Sequence, residues 1–371
     1  MAQPTAGDVH VNRPLTNVSI AHWQSSTAFV ANRAGLSIPV EKQTDSIFRF
    51  KKGAFHRNDM KIRAPGAESA GGGFDMDTAL TYSCPVRAFH SDIPDQVRAN
   101  TDAPLNQDRA HTTLVTMKGL IAREVVFATN LMASSAAWDI KREGVASGSY
   151  SAGTNVINWD DYDHSTPVAD VSRYTTAVAL ASGGFRPRHG VMSRSVWDVL
   201  KNHPDILGRV NGGGTVINPA IITQQLVASL FELEELLVMD AVYDTSTEGS
   251  STNSMSFLGG DNFLVYYKPP AAAIEMPSAF YQFNWTGMFG MAGEIGARIK
   301  KFRMEANGAD RVEIEGAWAW KITGADMADT RRDFGIGMIC NFGIPILTIC
   351  ALILFKIIFT ILIALPSFSW M

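Results

Sequence analysis

The sequence predicts an α+β fold, as two or three modest domains or one elongated multi-lobed subunit, and three observations carry the α+β expectation. A strand-like alternation at Ser46–Lys52 is separated by a glycine-rich stretch from a second β-rich segment, Asp77–Phe89. An apolar periodicity over residues 104–138 predicts one extended helix. Helix and strand signals then alternate through 158–243, and a run of strands follows to about residue 320.

Residues 1–45 read as an N-terminal arm. Met1–Val11 has neither a basic n-region nor an apolar h-region, so no secretory signal is expected there. Its polar composition fits a segment ordered only against neighbours. Residues 46–90 read as an extended two-stranded loop. Alternation puts Phe48 and Phe50 on one face and Arg49 and Lys51 on the other, as a half-exposed strand requires. Pro65-Gly66 and Gly71-Gly72-Gly73 mark the turn. Such a loop has too little apolar surface for its own core and gains stability by lying on another subunit.

Within residues 91–157, the helix over 104–138 has Pro104 near its start and Asp108 in its first turn. Leu114, Met117, Ile121, Val125, Ala128 and Met132 recur at spacings of three or four. At 1.5 Å per residue this predicts a rod roughly 45 Å long. Residues 144–157 read as a Gly/Ser-rich linker.

Residues 158–245 form an α/β lobe. Thr166-Pro167 fits proline at the first helical position, and Gly183-Gly184 ends that helix. Ser193 caps a helix over Arg194–Asn202. Asn218-Pro219 starts another running to Phe231, and Leu236–Val242 reads as a buried strand. In 246–330, a polar excursion at Thr245–Ser256 precedes strands at Phe263–Tyr267, Phe280–Trp285, Ala297–Met304 and Arg311–Lys321. The last alternates Val312, Ile314, Ala317 and Ala319 against Arg311, Glu313 and Glu315, and these strands are expected to pack back on the long helix.

The bulk numbers exclude several functions. In 371 residues, Lys and Arg total 32 against 36 Asp and Glu, which argues against a surface wholly dedicated to nucleic acid or anionic membrane. Cys84, Cys340 and Cys350 are too few and scattered for a disulfide framework or a four-thiolate zinc site. Residues 335–371 form a hydrophobic tail: Phe334–Phe355 carries no charge, and a transmembrane helix needs about 20 such residues. Pro345 and Lys356 interrupt the apolar character. A membrane anchor, an aberrant extension of the reading frame and a buried element all remain open for it.

The order of these parts resembles the major capsid proteins of tailed bacteriophages, whose shell fold is shared with encapsulins. Asn158–Pro167, Arg188–Pro204, Phe257-Leu258-Gly259 through Pro269, Phe280–Trp285 and Asp310–Thr323 carry the resemblance, which spans about residues 12–330. It implies the phage-capsid shell fold: N-terminal arm, extended loop, long spine helix, α/β axial domain and peripheral β-sheet. It also implies a structural protein of the virion, made in the host cytoplasm, assembling through pentamers and hexamers into an icosahedral shell. Further implied partners are packaged double-stranded DNA, bound non-specifically, and scaffold, portal or decoration proteins. An encapsulin-like cellular compartment and a membrane-tethered protein are the rival readings.

On this basis the candidate functional residues are subunit-interface residues. Arg49, Lys51, Lys52, Arg57, Lys61 and Arg63 lie on the arm with Phe50, opposed in that stretch by Asp59 alone. They suit either phosphates of packaged nucleic acid or acidic patches on the next subunit that set register. The expected course of the arm over the outer shell favours the second. Trp159 and Trp197 are placed on the axial lobe, and Tyr266 and Trp285 in the peripheral sheet. No catalytic residue, cofactor site or metal site is expected. Asp160, Asp161, Asp163 and His164 lack the spacing of a calcium loop and read as a solvated turn before a helix. Gly212-Gly213-Gly214 lacks the Lys-Ser/Thr of a phosphate loop.

Overall fold

A computed structural model describes residues 24–101, 106–133, 136–210, 222–272, 276–287 and 297–332. These all fall within one compact unit. After a short helix α1 (Ala31–Ala34) come β1 (Leu36–Val40) and the arm, formed by β2 (Thr44–Phe50), a one-turn helix α2 (Lys52–Phe55) and β3 (Met76–Ser83). Strand β4 (Val86–Pro94) and helix α3 (Asp95–Ala99) lead to the spine helix α4 (Gln107–Phe127). Strands β5 (Ile140–Val145) and β6 (Asn155–Ile157) precede α5 (Pro167–Ser182), β7 (His189–Ser193), α6 (Arg194–Leu200), α7 (Pro204–Val210), α8 (Gln224–Leu230) and β8 (Glu235–Met239). The described chain then runs through β9 (Val242–Asp244), β10 (Met255–Phe257), β11 (Phe263–Tyr266), β12 (Phe280–Trp285), β13 (Ala297–Met304), β14 (Ala309–Ile322) and β15 (Ala328–Arg332).

Two sheets organise these elements. The peripheral sheet has the order β1-β12-β14-β13, with β4 also paired to β14. β14 is long enough to serve two sets of partners: Ala309–Ala317 lies between β13 and β4, and Trp318–Ile322 pairs β12. The spine helix packs across β4 and β14, where Val115 meets Ile93 and Val312. Gly119 permits this approach, because a Cβ there would stand 2.6 Å from Ile314 Cδ1.

The second sheet is mixed, in the order β6-β5-β15-β11-β7-β8. Strands β11, β7 and β8 are almost wholly buried, so they read as near-continuous apolar runs rather than alternating ones. Val191, Leu237, Met239, Leu264 and Tyr266 face a core shared with the spine helix and β12–β14. Met192, Leu236, Val238, Phe263 and Val265 face the opposite core, under α5 to α8. A period of two thus sorts one sheet between two cores.

Local signals in the lobe hold. Pro167 opens α5, Gly183 ends it at φ 85°, and Ser193 Oγ accepts the Val196 N–H to cap α6. Other expectations are corrected. The spine helix has 21 residues, about 31 Å, followed by a wider π-helical turn over Ala128–Met132. Its start is fixed by Asn106, whose side chain accepts the Arg109 N–H. Its buried face contains Val115, Phe127 and Leu131, whereas Leu114 is exposed. The Asp77–Phe89 segment is not one strand. It breaks at Cys84-Pro85, so that β3 completes the arm while β4 enters the peripheral sheet.

One strand expected in the peripheral return, β11, lies in the six-stranded sheet, together with β5, β6 and β15, which are not among the expected strands. Helix α8 begins at a Thr223 cap, and Asn218-Pro219 lies outside the described residues, as do Pro104, Gly212–Gly214, residues 1–23 and the hydrophobic tail. Among the described residues no helix is long and apolar enough to cross a membrane.

Candidate assembly surface

The arm is anchored at its root and carries exposed aromatic side chains farther out. At the root, Tyr82 stacks on Phe283 with ring centroids 4.6 Å apart, and the buried Cys84 thiol donates to the Phe283 carbonyl at 3.4 Å. Burial pushes the Cys84 thiol up to about 11, so it is an inert packing group. From there β2 and β3 pair in antiparallel register from Thr44↔Ser83 to Phe50↔Met76, with a shift in register between Ile47 and Arg49.

This register supplies acids that the linear sequence hides. Arg49 meets Asp77 at 3.1 Å and Lys51 meets Asp75 at 3.4 Å. Asp77 is held below the usual carboxylate range by the Ala79 N–H and then by Arg49. Lys52 reaches the subunit's own lobe, pairing with Asp326 and donating to the Ala181 carbonyl at 2.5 Å. Three of the six basic candidates are therefore committed within the subunit, which corrects the reading of a uniformly unopposed run. Arg57, Lys61 and Arg63 are exposed and make no ion pair among the described residues.

Beside these cations lies an apolar patch. Phe50, Phe55 and Phe74 form a ring cluster with centroids 5.5 to 6.1 Å apart, all three exposed. Phe48, Met60, Ile62 and Met76 are exposed as well. The three rings together form one exposed apolar surface. Phe50 is among the candidates the sequence singles out, whereas Phe55, Met60, Ile62 and Phe74 are not. Their only signal is the occurrence of large apolar residues in a glycine-rich, non-periodic stretch.

The aromatic candidates on the lobe serve the subunit's interior instead. Trp159 is fully buried and Trp197 nearly so, both in the core beneath α5 to α8. Tyr266 is also buried, in the six-stranded rather than the peripheral sheet, and its hydroxyl donates to the Ala34 carbonyl at 2.7 Å. These side chains are not available to a neighbouring subunit. Trp285 lies at the end of β12, half-buried, with its Nε1–H on the Glu41 carbonyl at 2.9 Å.

The acidic turn before α5 is closed by its own contacts. His164 Nδ1 lies 2.9 Å from Asp161, which lifts the imidazole and holds the carboxyl down. Nearby, Ser165 Oγ and His203 Nε2 are 2.8 Å apart and buried. The pair has the look of a nucleophile and base, but its proton arrangement is the reverse. His203 Nδ1 accepts the Asp205 N–H at 3.1 Å, so Nε2 carries the proton and donates to the serine, which donates in turn to the Asp161 carbonyl. A serine receiving a hydrogen bond from its histidine is not activated for attack. Among the described residues no group of three or more His, Cys, Asp or Glu is placed to hold a metal ion.

No protein-family model matches the sequence, and no curated protein matches it. Solved structures do match. A phage-related protein from Bordetella bronchiseptica RB50 aligns over 85% of this chain and 94% of its own, with a TM-score of 0.60 and 20% identity. The capsid of the Myoviridae phage XM1 aligns over 88% and 99%, with a TM-score of 0.50 and 10% identity. The chain has the capsid-shell fold. The SrpI encapsulin of Synechococcus elongatus PCC 7942 belongs to the same set, aligning over 90% and 98% with a TM-score of 0.50 and 10% identity. Within this fold, the β2–β3 arm carries the exposed cluster of Phe50, Phe55 and Phe74.

Proposed function

We propose that the chain is a major capsid subunit, a structural protein that self-assembles into an icosahedral shell around a phage DNA genome. The observation that carries this reading is the arm tip. Phe50, Phe55 and Phe74 form an exposed ring cluster, and Arg57, Lys61 and Arg63, close by in sequence, are exposed and make no ion pair among the described residues. In a shell of identical copies, apolar rings supply the association and cations set the register against acidic surface. Each contact is modest, but repetition and closure make the shell persistent.

On this reading the subunits form pentamers and hexamers, and the particle is the virion capsid. Packaged double-stranded DNA is held non-specifically, and scaffold, portal or decoration proteins are further partners. The role is architectural, and catalysis has no part in it. An encapsulin-like compartment is the second reading, supported by the fold shared with the SrpI encapsulin.

Negative-stain microscopy of the full-length protein expressed alone tests the proposal. Closed shells of uniform diameter are expected, and soluble monomers would overturn it. Nuclease-resistant DNA in particles from infected cells separates a virion from a compartment, which would carry a protein cargo instead.

A further inference from the structure

Among the described residues, the arm meets the end of α5 through His56 and Lys52. His56, directly after α2, lies flush against Gly183 at the end of α5, where a Cβ would stand 2.5 Å from His56 Nε2. Its Nε2 is 2.9 Å from the Gly183 carbonyl oxygen, and its Nδ1 is 2.8 Å from the Lys52 carbonyl oxygen. Both partners are acceptors only. A neutral imidazole has one N–H and satisfies one of them, whereas the imidazolium satisfies both. Beside it, the Lys52 ammonium spans the Ala181 carbonyl and the Asp326 carboxylate.

We infer that His56, beside the Lys52–Asp326 ion pair, forms a protonation-dependent latch that holds the arm against the subunit's own lobe until a neighbouring copy takes it up. The last clause rests on the assembly reading; the latch itself does not. The charged groups facing the imidazole are few. Lys52, on its own element, disfavours the proton; Asp326, across the contact, engages Lys52; Arg57 turns back to the Gly53 carbonyl. The two carbonyls outweigh Lys52, and His56 is raised above its ordinary 6.5. The sign follows. The latch is complete below 6.5 and is lost as pH rises through the raised value. An alkaline shift would thus free the arm, with its aromatic cluster, for exchange between subunits.

Hydrogen exchange of the unassembled full-length subunit, corrected for the intrinsic pH dependence of exchange, tests the latch directly. Protection of amides 50–57 is expected to fall roughly tenfold between pH 6 and pH 8, the weight of one charge-assisted hydrogen bond. In His56→Gln it should be low at both values, with a peptide from β14 unchanged as the control for folding. Equal wild-type protection at both pH values, or full wild-type protection in His56→Gln at pH 6, overturns the inference. If the β14 peptide shows that the variant is unfolded, the wild-type comparison alone decides. The readout needs no shell, so a failed latch and a failed assembly reading are separately visible.

Discussion

Trp159 and Asp170 form a buried pair: the indole Nε1–H donates to the Asp170 carboxylate across 3.1 Å, inside the core beneath α5 to α8. The tryptophan thus fixes the acidic turn to the first turn of α5. Trp159→Phe keeps most of the volume but removes the donor from a buried carboxylate, and is expected to cost about 1–3 kcal/mol. Trp159→Ala adds a cavity and should cost about 3–5 kcal/mol. Urea unfolding of the unassembled subunit measures both. A substitution that changes shell yield but not stability would return Trp159 to the subunit interface.

This pair also shows what the sequence reveals and what it conceals. Signals confined to a few residues were legible: Pro167 opening a helix, Gly183 closing it in a left-handed conformation, Ser193 capping the next. A tryptophan beside three aspartates reads equally well as a surface anchor or a core residue. Only tertiary placement separates the two, and here Asp170 lies eleven residues on. Sheet membership was hidden for a related reason. β11 and β15 are apolar or mixed runs whose partners, β7 and β5, lie far away in sequence, and no local period encodes that choice. On the arm, the basic run was legible, but its neutralisation by Asp75 and Asp77 depends on the hairpin register. The exposed Phe55 and Phe74 followed no period and were passed over.

Charge reversal at the free cations separates assembly from folding. Arg57→Glu, Lys61→Glu and Arg63→Glu together remove no ion pair made within the described subunit. The triple variant is expected to unfold within about 0.5 kcal/mol of wild type and to form no closed shells by electron microscopy. Shells of normal yield that retain less DNA would instead assign these residues to the genome.

Glu124 on the spine helix accepts the N–H groups of Val30 and Ala31 at 2.9 and 3.0 Å and so docks the segment entering β1. Burial nevertheless raises its carboxyl from 4.5 to about 7, outweighing these donors and Arg123. A raised carboxyl means that the folded state binds the extra proton between these values, so its contribution to stability falls as pH rises from 4.5 to 7. Between pH 5 and pH 8 the wild type should lose on the order of 2 kcal/mol relative to Glu124→Gln. Identical pH profiles for the two proteins, by urea unfolding, would contradict the assignment.

His203 carries the opposite sign. Burial depresses its imidazole, and the neutral form is the one that accepts the Asp205 N–H. Stability from this group is complete above its ordinary 6.5 and is lost as pH falls through the depressed value. Ser165→Ala leaves the buried Nε2–H without its acceptor and should cost about 1–3 kcal/mol at neutral pH, read by thermal or urea unfolding. An unchanged stability would show that the pair does not hold the turn.

The central claim is that the arm tip is finished by another copy of the chain. Hydrogen exchange of residues 57–74, compared between unassembled subunits and purified particles, tests it most directly. Fast exchange in the subunit and strong protection in the particle is the predicted result. Protection already complete in a stable monomer would contradict it.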